Sequence, residues 1–409
     1  MMRLGAAVAA VTTILAPFSS AVEDLSSAVP EIAGQLSSHA GLSSTAQKQD
    51  TGVTVATYNT ALNRPKAGQL AADMAAGTDE QARNIAAVIQ AANPDILILN
   101  EFDYDPTGQA LADFQANYLG QPQHGQQPVA YPYTFSAQVN TGVDSGLDLD
   151  GNGVLGEGND AYGFGLFPGQ YGMAVLSKYP IDTEKVRTLQ QLRWHSMPNN
   201  RLPYDYYGDN AHQLRLSSKS HWDVPVTVAG ESIHLIVAHP TPPAFEGPEQ
   251  RNTRRNGDEI RLLADYVSGG ERAEWIVDDA GVRGGLADGA RFVVFGDMNS
   301  DPHDGDNSGA TGIDQLLTLP ALQDPQPTSV GAEQSNEQGP GVHRTPAKTD
   351  TADFSEPKPG NLRVDYVLPS AGFTVTDSGV FWPAKGEPLA ELMTPERTSD
   401  HHLVWATIR

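Results

Sequence analysis

Short apolar runs that break off at a polar or charged side chain constrain this chain more than any other feature. Runs at 53–58, 96–99, 173–176, 233–238, 292–295, 364–368 and 403–408 are rich in Val, Ile, Leu and aromatic residues. Turn formers or charges bound each of them, which is the pattern of buried strands. Helical stretches lie between. Over 79–93 apolar residues recur at Ala82, Ile85, Ala86 and Ile89 and stop at Asn93-Pro94, which predicts a helix ending there. Over 248–267 a polar start gives way to Ile260, Leu262, Leu263 and Val267, which predicts a second helix. Strands alternating with helices point to the α/β class. Segments rich in Gly, Asn, Asp and Pro, at about 103–168, 197–210 and 300–360, read as loop insertions. With no internal repeat, 53–409 reads as a single domain carrying long insertions.

The residues at the ends of these runs carry the chemistry. The run ending at Tyr58 reaches Asn59, and Ile96-Leu97-Ile98-Leu99-Asn100 reaches Glu101. The run ending at Ala238 reaches His239, and Phe292-Val293-Val294-Phe295-Gly296 reaches Asp297 and then Asn299. Asp365 sits inside Val364-Asp365-Tyr366-Val367, and Ser399-Asp400-His401-His402 stands directly before the last run. Singly, an Asp or Asn after a strand is a turn former, and a lone His there is packing or surface. Six such placements in one α/β chain point instead to a site built at strand ends, where a rigid scaffold presents short loops.

The series Tyr58-Asn59, Leu99-Asn100-Glu101, Ala238-His239-Pro240, Gly296-Asp297-Met298-Asn299, Arg363-Val364-Asp365-Tyr366 and Ser399-Asp400-His401 resembles the endonuclease/exonuclease/phosphatase superfamily, in the right order and over about 53–409. The resemblance implies a four-layer α/β sandwich, two mixed β-sheets packed face to face with helices outside. It implies that Glu101 is the main ligand of Mg²⁺, or of Mn²⁺ or Ca²⁺ in its place, with Asn59 and Asp400 close to the metal. A hard ion with few carboxylates and several waters suits Mg²⁺. By the same resemblance Asp297 orients or deprotonates the attacking water, and Asn299 holds a phosphoryl oxygen. Asp365 fixes the tautomer of His401, and His239 stabilises charge on the phosphate or leaving group. Three positions depart from the family pattern. Asn100 stands where Gln is common before the Glu, Pro240-Thr241-Pro242-Pro243 replaces a usual Leu after the His, and His402 leaves two registers open for the catalytic imidazole.

Charge narrows the partner. Lys and Arg number 26 against 50 Asp and Glu, a net charge of −24. Such a field disfavours tight binding to long nucleic acids but not to a small phosphate ester held by a metal ion. No cysteine is present, which excludes disulfides, thiolate chemistry and Cys-based zinc sites. Arg3, an apolar stretch over 4–18 and Ser19-Ser20-Ala21 form the pattern of a secretory signal peptide (1–21), with a flexible leader (22–52) rich in Ser, Ala and Gln after it. No later apolar run approaches the length of a membrane span, and nothing calls for an obligate protein partner. The expected location is secreted or periplasmic.

Three further signals have two readings each. In Ser218-Lys219-Ser220-His221-Trp222 the Lys and His are either substrate contacts or exposed edge residues. Arg255, with Arg251, Arg254 and Arg261, either attracts phosphate or trims a solvated helix through the i,i+4 pairs Arg254–Asp258 and Arg255–Glu259. Asp148-Leu149-Asp150-Gly151-Asn152-Gly153 opens like an EF-hand loop, which gives either a structural Ca²⁺ site at Asp148, Asp150 and Asn152 or an Asp/Gly turn. Its twelfth position is Asn159, not Glu. The reading that unites the sequence is an exported phosphoesterase acting on small-molecule or lipid-like monoesters or diesters. Its rivals are a secreted nuclease and a non-catalytic binding module.

Overall fold

The computed structural model describes residues 52–338, 343–355 and 358–409. The expected signal peptide and, apart from Gly52, the leader lie outside the described residues. Among the described residues there are eleven strands: β1 (Val53–Asn59), β2 (Ile96–Asn100), β3 (Tyr133–Phe135), β4 (Met173–Ser177), β5 (Arg187–Thr188), β6 (His221–Val228), β7 (Glu231–Ala238), β8 (Arg291–Asp297), β9 (Asp365–Pro369), β10 (Val375–Val380) and β11 (Val404–Ile408). They form a six-stranded sheet ordered β10-β11-β1-β2-β4-β3 and a five-stranded sheet ordered β5-β6-β7-β8-β9.

Each sheet is mixed, with one parallel pair: β1 with β2, and β7 with β8. Side-chain alternation assigns the faces. Leu235, Val237, Val293, Phe295 and Val367 of the second sheet share an apolar cluster with Val55, Ile96 and Ile98 of the first, which lie on the same face as Asn59 and Asn100. This is the core between the sheets. The alternate residues Ile236, Val294, Tyr366 and Leu368 pack instead with Ile260, Leu263 and Val267 of the helix Arg251–Ser268. The helix Glu80–Ala92 buries Ile85 and Ile89 in the first cluster, each worth about 1.5–3 kcal/mol. Asp79 caps it by accepting from Ala82 N, and Asn93 ends it at φ 46° before Pro94. The architecture is the four-layer α/β sandwich that the motifs imply.

Four strands have no counterpart among the apolar runs: β3, β5 and β10, which lie at sheet edges, and β6, which is interior to the second sheet. An edge strand faces solvent along one side and carries a weak apolar signal. β3 falls inside the 103–168 insertion, which also forms the helix Gln109–Phe114; the 300–360 insertion forms helices Asp314–Leu317 and Val330–Gln338. The larger correction concerns the polar half of the helix Arg251–Ser268. Arg255, Asn256, Asp258 and Glu259 are buried, and the expected i,i+4 pairing is replaced. Asp258 accepts from Trp194 Nε1 at 2.7 Å and Arg201 N at 2.6 Å, while Arg255 donates to Leu216 O and Arg215 O. The segment that includes the 197–210 insertion covers this face. No helix among the described residues is long and apolar enough to cross a membrane.

Candidate active site

Strand direction brings the strand-end residues to one edge. Because β1 and β2 run parallel with Asn59 opposite Asn100, Asn59 and Glu101 emerge together. β11 runs antiparallel to β1 with Val404 opposite Thr57, so residues 400–402 return to that end. In the second sheet Val237 pairs in parallel with Phe295, which sets His239 beside Asp297, and Asp297 lies opposite Asp365 across the antiparallel β8–β9 pair. Asn100 ties the two sheets at this edge, donating to Ala238 O at 3.4 Å and accepting from Asp297 N at 3.3 Å. Only Gly fits at 296. Its φ is +135°, and a Cβ there would come within 1.9 Å of Ala238 O.

Asp297 is the hub. Its Oδ2 accepts from Asn59 Nδ2 at 3.1 Å and Asn299 Nδ2 at 3.3 Å, and lies 3.3 Å from His239 Nε2 and 3.6 Å from His401 Nε2. Its Oδ1 accepts from Asn299 N at 2.8 Å. Burial works against the charged form, yet His401 and His239 outweigh it and hold the carboxyl well below the usual range. Asp297 is therefore an anion.

Behind it stands a second buried carboxyl. Asp365 is fully buried, and its Oδ2 accepts from His401 Nδ1 and from Thr351 Oγ1, both at 2.8 Å. Burial pushes its pKa up to about 6 against the pull of His401. His401 lies between two carboxylates: burial opposes its charge, but Asp365 and Asp297 raise its pKa well above the ordinary value. The pair shares one proton, held on the imidazole side. His402 is elsewhere, stacked on Trp382 at 3.6 Å with neither ring nitrogen hydrogen-bonded, and burial lowers its pKa to about 3. Of the two registers left open by His401-His402, the structure adopts the first.

Glu101 is half-buried at φ 58° and accepts from Asn63 Nδ2 at 2.8 Å. Asp400 is half-buried beside His401. Asn59 Oδ1 accepts from Ala61 N at 3.2 Å. Burial, then the Lys219 ammonium, holds His239 below its ordinary pKa, against Asp297 and Glu101. Asn299 donates both amide hydrogens, to Pro240 O at 3.1 Å and to Asp297, and so braces the hub. Asp297, Asp365 and His401 offer atoms within 4.8 Å of one another, but His401 Nδ1 is already taken by Asp365 and its Nε2 lies 3.6 Å from Asp297. A hard divalent ion fits the oxygen of Glu101 better, since that carboxylate is half-exposed and takes a single side-chain donor.

The weaker signals separate. Lys219 is buried close enough to Glu259, Glu101 and Asp297 for their charges to act on its ammonium. His221 is not at the site: it is buried on the far side of the second sheet, 2.6 Å from Ser217 Oγ through Nδ1, beside Leu262, Leu263 and Tyr266. Neither is it the exposed edge residue of the other reading. Arg255 is no phosphate contact in this arrangement, because its guanidinium is committed to backbone carbonyls and lies over Trp194 at 5.6 Å. In the EF-hand-like loop, Asp148, Asp150 and Asp160 bring carboxylate oxygens within 4.8 Å of one another. Asp148 accepts from Asn152 N and Gly153 N, and Asn159 Nδ2 donates to Asp150, so the loop closes on itself as a turn does. Asn63, Thr351 and Glu259 support the site unannounced. Nothing in their spacing marks them, because each acts through a partner distant in sequence.

A family model described as Endonuclease/Exonuclease/phosphatase family matches residues 56–401. No curated protein matches the chain. Among solved structures, an endonuclease/exonuclease/phosphatase from Beutenbergia cavernae is 18% identical, with a TM-score of 0.48 over 88% of this chain and 72% of that one. A family protein from Leptotrichia buccalis is 13% identical, TM-score 0.48, over 87% and 99%. Beta toxin from Staphylococcus aureus is 16% identical, TM-score 0.41, over 87% and 99%. Members of the matched family are hydrolases that act on phosphate esters. The match runs from the strand carrying Asn59 to His401 itself, and the chain belongs to the endonuclease/exonuclease/phosphatase family.

Proposed function

We propose that this chain is an exported, divalent-metal-dependent phosphoesterase that hydrolyses small-molecule or lipid-like phosphate esters by in-line attack of water. The observation that carries the reading is the Asp297 hub: one ionised carboxylate oxygen faced by two imidazoles and two amides at a shared sheet edge. Glu101, with Asn59 and Asp400 near it, would hold Mg²⁺, Mn²⁺ or Ca²⁺. Bound there, the ion neutralises phosphate charge as a Lewis acid.

The chain's own groups do the rest. Asp297 orients a water by accepting one of its hydrogens, and as the new P–O bond forms and the ester P–O bond breaks, that proton leaves toward the carboxylate. A carboxylate so weakly basic takes the proton late, when the attacking water has become acidic. His401, kept charged by Asp365, faces the charge that grows on phosphorus-bound oxygens. His239 braces Asp297 from the opposite side. For Asn299 to hold a phosphoryl oxygen, it exchanges its bond to Pro240 O for the substrate.

Export is supported by Arg3, the apolar stretch 4–18 and Ser19-Ser20-Ala21. The test is a hydrolysis panel of phosphomonoesters, diesters, triesters and plasmid DNA with Mg²⁺, Mn²⁺, Ca²⁺ or chelator. Chelator-sensitive turnover of small esters supports the reading. Plasmid cleavage outpacing them makes the chain a nuclease, and no turnover at all leaves a binding module.

A further inference from the structure

Lys219 is 6% exposed, yet its ammonium nitrogen keeps contact with solvent and makes no hydrogen bond or ion pair among the described residues. The ammonium thus offers three open donors at the end of a largely buried stem. Its position explains what they face. Lys219 stands just ahead of β6, whose first residue, His221, pairs with Ala238 across the antiparallel β6–β7 ladder. The segment before β6 therefore runs beside the one after β7, which holds His239 and Pro240.

One carboxylate fixes both segments. Glu259, fully buried on the helix Arg251–Ser268, accepts from Ser218 N at 2.7 Å through Oε1 and from Thr241 N at 2.6 Å through Oε2. Asn140 N anchors the backbone of Lys219 at its carbonyl, 2.8 Å away. Glu259 thus supplies nearby negative charge while both its oxygens are taken by backbone N–H groups, and the ammonium stays unbonded. Burial draws the Lys219 pKa down, while Glu259, Glu101 and Asp297 oppose this. The hydroxyls of Ser218 and Thr241 are also buried without partners.

We propose that Lys219 is a substrate-binding residue whose unbonded ammonium takes a non-bridging phosphoryl oxygen, and that it makes the site selective for terminal phosphate, that is, for monoesters over diesters. This rests on the phosphoesterase reading above. A phosphomonoester carries close to two negative charges above its second pKa of about 6, and three acceptor oxygens. A diester carries one charge and two free oxygens. Coulomb attraction scales with the product of charges, so a fixed cation favours the dianion. It acts together with His401, the cation held on the other side of Asp297.

The experiment compares wild type with Lys219→Met and Lys219→Arg. It measures kcat/KM for p-nitrophenyl phosphate and bis(p-nitrophenyl) phosphate in Mg²⁺, and calorimetric binding of inorganic phosphate. Wild type prefers the monoester. The Met variant loses roughly 10- to 100-fold on the monoester, the scale of a charge-assisted hydrogen bond, and a smaller factor on the diester. Phosphate binding weakens in parallel, and Arg restores part of both. Equal losses on the two esters, unweakened phosphate binding in the Met variant, or a wild type that prefers the diester overturns the inference. If the Met variant does not fold, the Arg variant and the wild-type preference decide: an Arg variant without phosphate affinity overturns it as well. A wild type inactive on both esters defeats the phosphoesterase reading instead, while phosphate binding still tests Lys219.

Discussion

Replacing Asp365 with Asn tests whether the buried carboxylate acts through His401. Asn has the same shape and can keep the Thr351 hydroxyl bond, so the change is confined to charge at the His401 Nδ1 contact of 2.8 Å. Two unit charges about 4 Å apart in an effective dielectric of about 20 interact by about 4 kcal/mol. Releasing the carboxylate from burial offsets part of this. A net loss of about 2–4 kcal/mol corresponds to a fall in turnover of roughly 30- to 1,000-fold. The pH profile carries a second signature. His401 stays protonated above its ordinary value of 6.5 because Asp365 and Asp297 face it. Without Asp365 it loses its proton at lower pH, so the alkaline limb of activity moves down. The assay is kcat against pH for wild type, Asp365→Asn, His401→Ala and the double variant. Residues acting as one unit are non-additive, so the double variant falls within about threefold of the worse single. If the double loses the product of the two single losses, or Asp365→Asn keeps activity within about fivefold with an unmoved alkaline limb, the two residues do not act as a pair.

Glu101→Gln removes the half-exposed carboxylate proposed to hold the ion: turnover falls at least about 100-fold at unchanged melting temperature, and full activity of this variant in chelator refutes metal dependence. His402→Phe keeps the stacking on Trp382 and turnover within a few-fold; a loss as large as that of His401→Ala returns the catalytic role to His402. Burial pulls His221 down to about 3, so the unfolded chain takes up a proton below about 6.5 that the native state does not. Its contribution is fully present above pH 6.5 and is lost as the pH falls through that window, by about 1.4 kcal/mol per unit. His221→Gln therefore flattens the acid side of melting temperature against pH, and parallel curves for the two proteins refute this. With a net charge of −24, binding to long duplex DNA is weak at physiological salt; sub-micromolar affinity with a steep salt slope reverses that expectation.

Legible in the chain before any folding were the buried interiors of β1, β2, β4, β7, β8, β9 and β11, the helix from Asp79 to Asn93 and the residues that end β1, β2, β7 and β8. These are local properties, since period, cap and terminal side chain are written within a dozen positions. The strand-end residues were legible as a set for the same reason. Their effect on one another comes from long-range packing. Asn59 and Asp297 are 238 residues apart, and only the two parallel pairs, with the sheets face to face, put them 3.1 Å from each other. The same long-range pairing separates neighbours that looked alike. His401 meets Asp365 while His402 stacks on Trp382, and Lys219 stays within reach of the Glu101 and Asp297 charges while His221 turns to the helix side. It also buries the charged half of the helix Arg251–Ser268, where Glu259 takes the backbone of Ser218 and Thr241 in place of Arg255. A charge pattern on a helix reports which partners are one turn away. Which segment covers that face is fixed by strand register and by the loop that crosses it, and neither leaves a periodic mark in the chain.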